Sequence, residues 1–332
     1  MSSASIASSN SQTNTRAKGA TRWGMPRIAR FAWATLSCNV AVVLWGAYVR
    51  ATGSGAGCGN RWPVCGGEVL GASAKAQTII EFTHRATSGV ALLMVTGLVI
   101  WCWRATTKRD WARYSALFAA AFLANEALLG AALVLLGHVG HDKSWGRVLF
   151  LCLHFGNTLL LLAMLALTAW WLRWVNSSLR LIRNPRGVLA IATGLFATMV
   201  IGITGAVAAL GDTLFPAVSL RSSLAQDFGS GASILLRLRL VHPVVALTAA
   251  IYVLWVIFAT ARRRAHLSGA AISLLILFLT QIGTGIVNVL LLAPVWLQIL
   301  HLCIADLLWI MLVVVSADLL FEAADARVTV RA

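Results

Sequence analysis

The sequence predicts an all-α integral membrane protein whose eight transmembrane helices form two pseudo-symmetric four-helix bundles. Of its 332 residues, 59% are hydrophobic and only 11% are charged, and the mean hydropathy is +0.81. A soluble domain has about 25% charged residues, so the composition favours a membrane protein. Long apolar runs and a histidine in every second run are the other two observations behind this fold class.

Eight apolar runs have about the 20 residues that a helix needs to cross a bilayer. These spans, numbered 1 to 8, are 28–49, 78–103, 112–136, 147–172, 188–210, 234–260, 269–292 and 295–320. Because their number is even, both termini are expected on the same side of the membrane.

The lysines and arginines predict which side that is. The terminal segments and the loops after spans 2, 4 and 6, together with the adjoining span ends, hold 18 of the 27. The opposite loops and their adjoining span ends hold the other nine. Basic residues are enriched in cytoplasmic loops, so both termini are predicted to be cytoplasmic. The net charge of +16 could also indicate nucleic-acid binding. We exclude that class because the basic residues form short separate clusters and no single stripe.

The spans divide the chain into two membrane units and three cytoplasmic segments. The predicted boundaries are an N-terminal tail 1–27, an N-terminal bundle 28–172, a linker 173–187, a C-terminal bundle 188–320 and a C-terminal tail 321–332. Residues 1–24 are rich in Ser and Thr, basic, and without acids, which fits either a mitochondrial transit peptide or a short bacterial tail. Its brevity favours the bacterial tail, and hence a location in the cell inner membrane.

A polar outer segment, the cysteine loop (residues 50–77), follows span 1 and contains "TGSGAGCGNRWPVCGGE". Cys58 and Cys65 lie in this loop, whereas the other four cysteines lie within spans. An external cysteine pair can form and keep a disulfide, because the compartment is oxidising. The sequence leaves two interpretations open, a structural clip and a redox-active dithiol.

Spans 2, 4, 6 and 8 each contain one histidine, and the odd-numbered spans contain none. These residues are His84, His154, His242 and His301. Each lies about six to nine residues after its span begins, which corresponds to roughly 9–13 Å of helix at 1.5 Å per residue. All four imidazoles are therefore expected at similar depth in the outer half of the bilayer.

The four matched histidines predict two haem sites. An ionisable group inside a membrane is costly and tends to be functional, although a single histidine could simply bond to a neighbouring helix. Zinc normally requires four ligands, whereas two histidines on separate helices suit haem iron, for which bundle interiors are common sites. We therefore pair His84 with His154, and His242 with His301.

A carboxylate distinguishes the two predicted sites. Glu81 lies three residues before His84 on the same helical face, and no carboxylate takes that position before His242. This asymmetry suggests chemistry at the first site and electron storage or scaffolding at the second. The alternative for Glu81 is a surface acid paired with Arg85.

Other polar and small residues receive structural interpretations. Glu126 in span 3 and Asp306 in span 8 are expected to be buried hydrogen-bonding residues or partners of the histidines. Four glycines are expected to allow close helix packing: Gly130, Gly137, Gly202 and Gly205.

Several motifs resemble the haem A synthase family of respiratory membrane enzymes. They are "YVRATGSGAGCGNRWPVC" after span 1, "EFTHR" opening span 2, and "GDTLFPAVSLRSSLAQDF" followed by "LLRLRLVHP" before and into span 6. The histidines of spans 4 and 8 complete the resemblance, which covers about residues 28–320. It implies oxidation of the methyl group at ring position 8 of haem O to a formyl group, giving haem A for cytochrome oxidase.

The resemblance also implies roles for particular residues. The N-terminal bundle would bind the substrate haem O through His84 and His154, and the C-terminal bundle would hold haem b through His242 and His301. Glu81 matches the catalytic glutamate of the family, and Cys58 with Cys65 match its outer-loop disulfide. The implied partners are haem O, the haem O synthase that makes it, an electron donor or acceptor and membrane lipid, with a homo-oligomer among the states considered.

Two other classes of protein compete with this interpretation. A di-haem b-type electron carrier often places its haems on both sides of the membrane, whereas here all four histidines lie near one face, and Glu81 and the cysteine loop would have no role. A haem or lipid transporter would need polar groups through both leaflets. The inner halves of the even spans are almost wholly apolar, as in "VALLMVTGLVIW".

Overall fold

The structure is a computed structural model that describes seven stretches of the chain. They are residues 27–65, 75–108, 110–173, 179–181, 184–229, 234–262 and 268–323. The predicted cytoplasmic tails therefore lie almost entirely outside the described residues, as do residues 174–178 and 182–183 of the predicted linker and residues 66–74 of the cysteine loop.

The part of the chain that the structure describes contains eight helices long and apolar enough to cross a membrane, which confirms the eight predicted spans. They are α1 (Arg27–Ala51), α2 (Ala76–Ala105), α3 (Trp111–Leu135), α4 (Trp145–Arg173), α5 (Pro185–Leu214), α7 (Ile234–Ala261), α8 (Ser268–Leu290) and α9 (Val295–Leu320). A shorter helix, α6, lies between α5 and α7.

Polar side chains set the starts of two of these helices. Asp110 precedes α3, and its carboxylate accepts a hydrogen bond from the Ala112 N–H. Asn184 precedes α5 and accepts from the Gly187 N–H, with Pro185 in the first turn. Such side chains satisfy N–H groups that have no partner within the helix, and proline suits this position because it has no N–H to lose.

Three short elements were not predicted. Helix α6 (Leu220–Phe228) begins with reciprocal hydrogen bonds between Ser219 and Ser222, a capping box. Strands β1 (Leu179–Leu181) and β2 (Phe321–Ala323) pair antiparallel and join the predicted linker to the segment after α9. The all-α class is confirmed with this small addition, because two strands of three residues do not form a core.

The helices pack as two groups of four, which we call rings. Helices α1 to α4 form the first ring, α5, α7, α8 and α9 form the second, and the two rings share a central interface. In the first ring α1 contacts α2 and α4, and α3 packs along α4. In the second ring α5 packs along α7 and α8 along α9, while α7 and α8 touch more sparsely. Between the rings, α1 and α4 meet α5 and α9. Buried leucines and Trp170 make α4 the most enclosed helix, and Trp309 of α9 donates to the Leu159 carbonyl across this interface, at 2.8 Å.

Arg50 also joins the two rings. Arg50, near the end of α1, donates to the Ala209 carbonyl at 2.7 Å and to the Thr213 hydroxyl at 2.9 Å, both on α5. Its other terminal nitrogen donates to Gln298 of α9 at 3.1 Å. These contacts lie at the end of the molecule where α1 ends and α2 begins, which we call the disulfide end.

Candidate functional site

All four span histidines lie near the disulfide end. The helices that carry them, α2, α4, α7 and α9, all begin at this end, because successive membrane-spanning helices alternate in direction. His84, His154, His242 and His301 follow the first residues of those helices by eight, nine, eight and six positions. The helix bounds therefore preserve the matched depth that the sequence predicted.

A glycine on the preceding membrane-spanning helix faces each of these imidazoles. Gly46 of α1 faces His84, Gly130 of α3 faces His154, Gly205 of α5 faces His242, and Gly285 of α8 faces His301. A β-carbon added to the glycine would lie 2.9, 3.7, 3.0 and 3.1 Å, respectively, from the imidazole Cε1. At Gly46, Gly205 and Gly285 the absence of a side chain therefore lets the imidazole pack directly against the helix backbone, whereas a β-carbon at Gly130 would make only an ordinary contact.

The histidines of the first ring have few hydrogen-bond partners. The Nδ1 atom of His84 is buried and has no partner among the described residues. The Nδ1 atom of His154 lies 3.4 Å from the Glu126 carboxylate, without the geometry of a hydrogen bond. Asn157 and Thr158 of α4 bond to that carboxylate and hold it beside His154.

The histidines of the second ring have more hydrogen-bond partners than those of the first ring. The Nδ1 atom of His242 lies 3.2 Å from the Thr204 hydroxyl, and the Nδ1 atom of His301 lies 3.1 Å from the Thr284 hydroxyl. The Nε2 atom of His301 also lies 3.1 Å from the amide nitrogen of Gln281.

The donor set fits haem iron better than a bare metal ion. Within the described ranges, no group of three or more His, Cys, Asp or Glu side chains could hold a metal. The two histidines of each ring lie on different helices, near the same end of the molecule. Each ring offers two imidazoles, and in the first ring the buried Nδ1 atoms of both have no hydrogen-bond partner among the described residues. Such a pair suits an iron porphyrin, which requires only axial ligands from the protein.

Glu81 is buried, with 3% of its surface exposed, and joins α2 to the cysteine loop. One carboxylate oxygen lies 2.5 Å from Arg85, and the other accepts the Cys58 N–H at 2.8 Å. Arg85 also donates to the carbonyls of Arg61 and Pro63, at 2.7 and 3.2 Å. The pairing with Arg85 considered from the sequence is present, but in a buried setting rather than at the surface.

The predicted disulfide is formed between Cys58 and Cys65, and both residues are buried. The Thr78 hydroxyl of α2 donates to the Gly57 carbonyl at 2.7 Å and holds the first part of the loop on that helix. The disulfide, Glu81 and His84 thus lie within one short region where α2 begins.

The second ring carries the opposite charge at the position of Glu81. Arg239 lies three residues before His242, as Glu81 does before His84. It forms ion pairs with Asp227 of α6 at 2.5 Å and with Asp212 of α5 at 3.2 Å. The carboxylate asymmetry predicted from the sequence is therefore a reversal of charge.

Sequence reasoning missed the residues that contact the imidazoles from neighbouring helices. Gly46, Thr204, Gln281, Thr284 and Gly285 were not singled out. A Thr-Gly pair in both odd spans of the second half was the available signal.

The four glycines assigned to helix packing have different roles in the structure. Gly202 does allow close packing, because a β-carbon there would lie 3.0 Å from Leu159. Gly130 and Gly205 instead face histidines. The prediction for Gly137 was wrong: it lies in the turn after α3 with φ of 72°, a left-handed conformation that favours glycine. Asp306 is buried as predicted, and its Oδ2 has no partner among the described residues.

The fold and the site define a multi-pass helical protein with two histidine pairs at one end. A family model described as COX15-CtaA, cytochrome oxidase assembly protein, matches residues 29–313. The chain therefore belongs to this family.

Relatives with assigned names extend the comparison. A protoheme IX farnesyltransferase of Thermus thermophilus is 44% identical over 300 residues, which cover 90% of this chain and 49% of the relative. A heme A synthase of Geobacillus kaustophilus is 40% identical over 131 residues, 39% of this chain and 38% of that protein. One from Bacillus mycoides is 39% identical over 122 residues, 36% of each chain. The chain spans about half the length of the farnesyltransferase relative. The resemblance to the haem A synthase family is confirmed.

Proposed function

We propose that this protein is a haem A synthase, which oxidises the methyl group at ring position 8 of haem O to a formyl group. Two successive hydroxylations and the loss of one water account for the product, an oxidation by four electrons. The observation that carries the proposal is the buried carboxylate of Glu81, one helical turn from His84, in a chain of the cytochrome oxidase assembly family.

Each ring receives one haem in this proposal. Haem O is the substrate of the N-terminal bundle (28–172), with His84 and His154 on its iron. Haem b is held in the C-terminal bundle (188–320) by His242 and His301, where it would supply one-electron chemistry. The close approach of a glycine to each imidazole and the matched positions of the four histidines along their helices support both assignments.

Glu81 is the proposed catalytic residue. Arg85 and the Cys58 N–H fix its two oxygens in one orientation at the disulfide end. A fixed carboxylate beside the ring edge of the substrate would stabilise positive charge developing on the oxidised carbon, or position a water molecule. The disulfide then has at least one function, which is to shape the loop that supplies the Cys58 N–H.

The proposed location is the cell inner membrane, with both termini in the cytoplasm and the site near the outer face. The distribution of lysine and arginine supports this orientation. Haem O carries a long isoprenoid tail, so a site reached from within the bilayer suits it. A haem O synthase would supply this substrate, and an electron donor or acceptor completes the reaction.

The name of the Thermus thermophilus relative raises farnesyl transfer to protoheme as a second candidate. About half of that relative has no counterpart in this chain, so its activity need not reside in the shared part. Transfer from a prenyl diphosphate usually relies on Mg²⁺ held between carboxylates and the phosphates. One or two carboxylates are enough for such a site. The preference for oxidation rests instead on the heme A synthase relatives, which are 40% and 39% identical to this chain over 131 and 122 residues.

The decisive experiment expresses the full chain beside a source of haem O, extracts the haems and determines their masses. Haem A should appear only when this protein is present. Glu81→Gln should retain both haems in the absorption spectrum and yield no haem A. Asp110→Asn, the same change of carboxyl to amide at the opposite end of the molecule, should behave like the wild type.

Each of the other outcomes would assign a different function to this protein. Full haem A production by Glu81→Gln would refute the catalytic assignment. Bound haems without any haem A from the wild type would identify a di-haem electron carrier, and farnesylated haem made from protoheme alone would identify a transferase. Alkylation followed by mass analysis should show the Cys58–Cys65 bond intact in Glu81→Gln, so that a loss of activity is not a loss of the loop.

A further inference from the structure

The two rings orient their histidines in different ways. In the second ring the glycine that faces each imidazole is preceded by threonine, as Thr204-Gly205 on α5 and Thr284-Gly285 on α8. The corresponding pairs in the first ring are Trp45-Gly46 and Leu129-Gly130. The first ring therefore has no hydroxyl group at this position.

The threonine hydroxyls determine which ring nitrogen carries the proton. The Thr204 hydroxyl donates to the Ile201 carbonyl at 2.9 Å, and the Thr284 hydroxyl donates to the Thr280 carbonyl at 2.9 Å. A hydroxyl group has one hydrogen, so each threonine oxygen is left as an acceptor for the imidazole. His242 and His301 must then carry the proton on Nδ1, which leaves the lone pair of Nε2 available for iron.

A further contact agrees with this tautomer at His301. The Gln281 amide nitrogen, which can only donate, lies 3.1 Å from Nε2 of His301, the nitrogen that holds the lone pair.

In the described part of the first ring, no threonine hydroxyl contacts the Nδ1 atom of a histidine in this way. The buried Nδ1 of His84 has no partner, and the Nδ1 of His154 faces Glu126 at 3.4 Å without a hydrogen bond. No hydrogen bond fixes the tautomer or rotation of these two imidazoles, and only His154 has a carboxylate nearby, so they have a larger ordering cost when they bind a ligand.

We propose that Thr204 and Thr284 are positioning residues that preset His242 and His301 for iron, so that the second ring keeps its haem permanently while the first ring exchanges its own. The inference rests on the proposed function, in that haem occupies both pairs. It adds the structural reason why one site is resident and the other is open to a substrate and its product.

Haem release measures this difference directly. The full-length protein with both haems is mixed with excess apomyoglobin, and haem transfer is followed by absorption. We expect one fast and one slow phase from the wild type, and a His242→Ala variant should lack the slow phase. Loss of the partner on a ligand histidine typically weakens metal binding about 10- to 100-fold. Thr284→Val and Thr204→Val should therefore each accelerate the slow phase by about that factor.

Control variants distinguish a role of the threonines in positioning the histidines from a general loss of structure. Thr280→Val removes a hydroxyl from α8 that bonds to the Ile276 carbonyl and not to a histidine, so the slow phase should be unchanged. Thr284→Ser retains the hydroxyl and should restore slow release.

The reduction potential of the slow haem should become more positive in Thr284→Val, because an imidazole without an acceptor on Nδ1 donates less charge to iron. Should the valine variant not fold, Thr284→Ala removes the same hydroxyl without a bulky replacement.

The proposal is overturned if the threonine variants keep the wild-type slow phase and potential, or if both wild-type haems leave at one rate. Neither readout requires haem A. A protein with two release phases but no formyl product would disprove the proposed function and leave this inference intact. A protein that makes haem A and shows no threonine effect would do the reverse.

Discussion

At the scale of single residues, the close packing of three imidazoles against glycines is the feature that most constrains the site. A β-carbon at Gly285 would lie 3.1 Å from Cε1 of His301, closer than the 3.4–4 Å of ordinary contact. The imidazole would have to move, because the β-carbon belongs to a helix whose backbone cannot easily retreat. The same reasoning applies to Gly46 and Gly205, where the distances are 2.9 and 3.0 Å.

Gly285→Ala should therefore weaken haem binding in the second ring. Overpacking of a tight site costs about 1–3 kcal/mol, which corresponds to about a 5- to 150-fold loss of affinity. Haem content and the low-spin electron paramagnetic resonance signal report the change. Gly283→Ala, two residues away on α8, is the matched control because nothing lies within 4 Å of its added β-carbon. Equal spectra for the two variants would show that the close approach of Gly285 to His301 has no role in haem binding.

Spacing along the chain was enough to find the histidines and Glu81, but not their partners. The histidines recur at a fixed depth in alternate spans, which the sequence displays directly. The partner of His242 is Thr204, 38 residues earlier, and the partner of His301 is Thr284, 17 residues earlier. Which side chain faces an imidazole depends on how a neighbouring helix is rotated, and apolar helices without a clear polar face do not reveal that rotation.

At the scale of elements, the cysteine loop is seated directly on the first turn of α2. A β-carbon at Gly57 would lie 2.5 Å from the backbone of Gln77, closer than atoms can approach. The φ angle of Gly57 is −65°, so the close approach and not the backbone conformation requires glycine. This contact brings the Cys58 N–H to Glu81.

Gly57→Ala should lift the loop from α2 and expose the disulfide. We expect a cost of about 1–3 kcal/mol for the local clash and a faster reduction of Cys58–Cys65 by a water-soluble phosphine. Thiol alkylation and mass analysis measure that rate. Gly55→Ala is the control, since its β-carbon would meet Val139 at an ordinary 3.5 Å. If both variants were reduced at the wild-type rate, the seating of the loop would not protect the bond.

Long elements were predictable and short ones were not. All eight spans agree with the observed helices to within four residues at each end, because apolar runs of this length have few alternatives. Helix α6 has no such run, and its start depends on two serines that cap it. The pairing of β1 with β2 joins segments about 140 residues apart, and three residues are too few to show an alternating pattern.

At the scale of the whole molecule, the two rings share one geometry and differ in their chemistry. Glu81 of the first ring corresponds to Arg239 of the second, each three residues before a histidine. Glu126 corresponds to Gln281, each four residues before a glycine that faces an imidazole. A carboxylate has thus been replaced by a cation at one position and by an amide at another, which fits one reactive ring and one that only stores electrons.

The position of all four histidines at the disulfide end has an electrical consequence. An electron that passes between the rings would travel parallel to the membrane plane and would cross almost none of the transmembrane voltage. Full passage of one charge is worth about 2.3 kcal/mol per 100 mV. In proteoliposomes, a potassium gradient with valinomycin should leave the rate of formyl production unchanged. A rate that rose or fell steeply with voltage would mean that charge enters from the far side, and the enzyme would then be coupled to the energy state of the membrane.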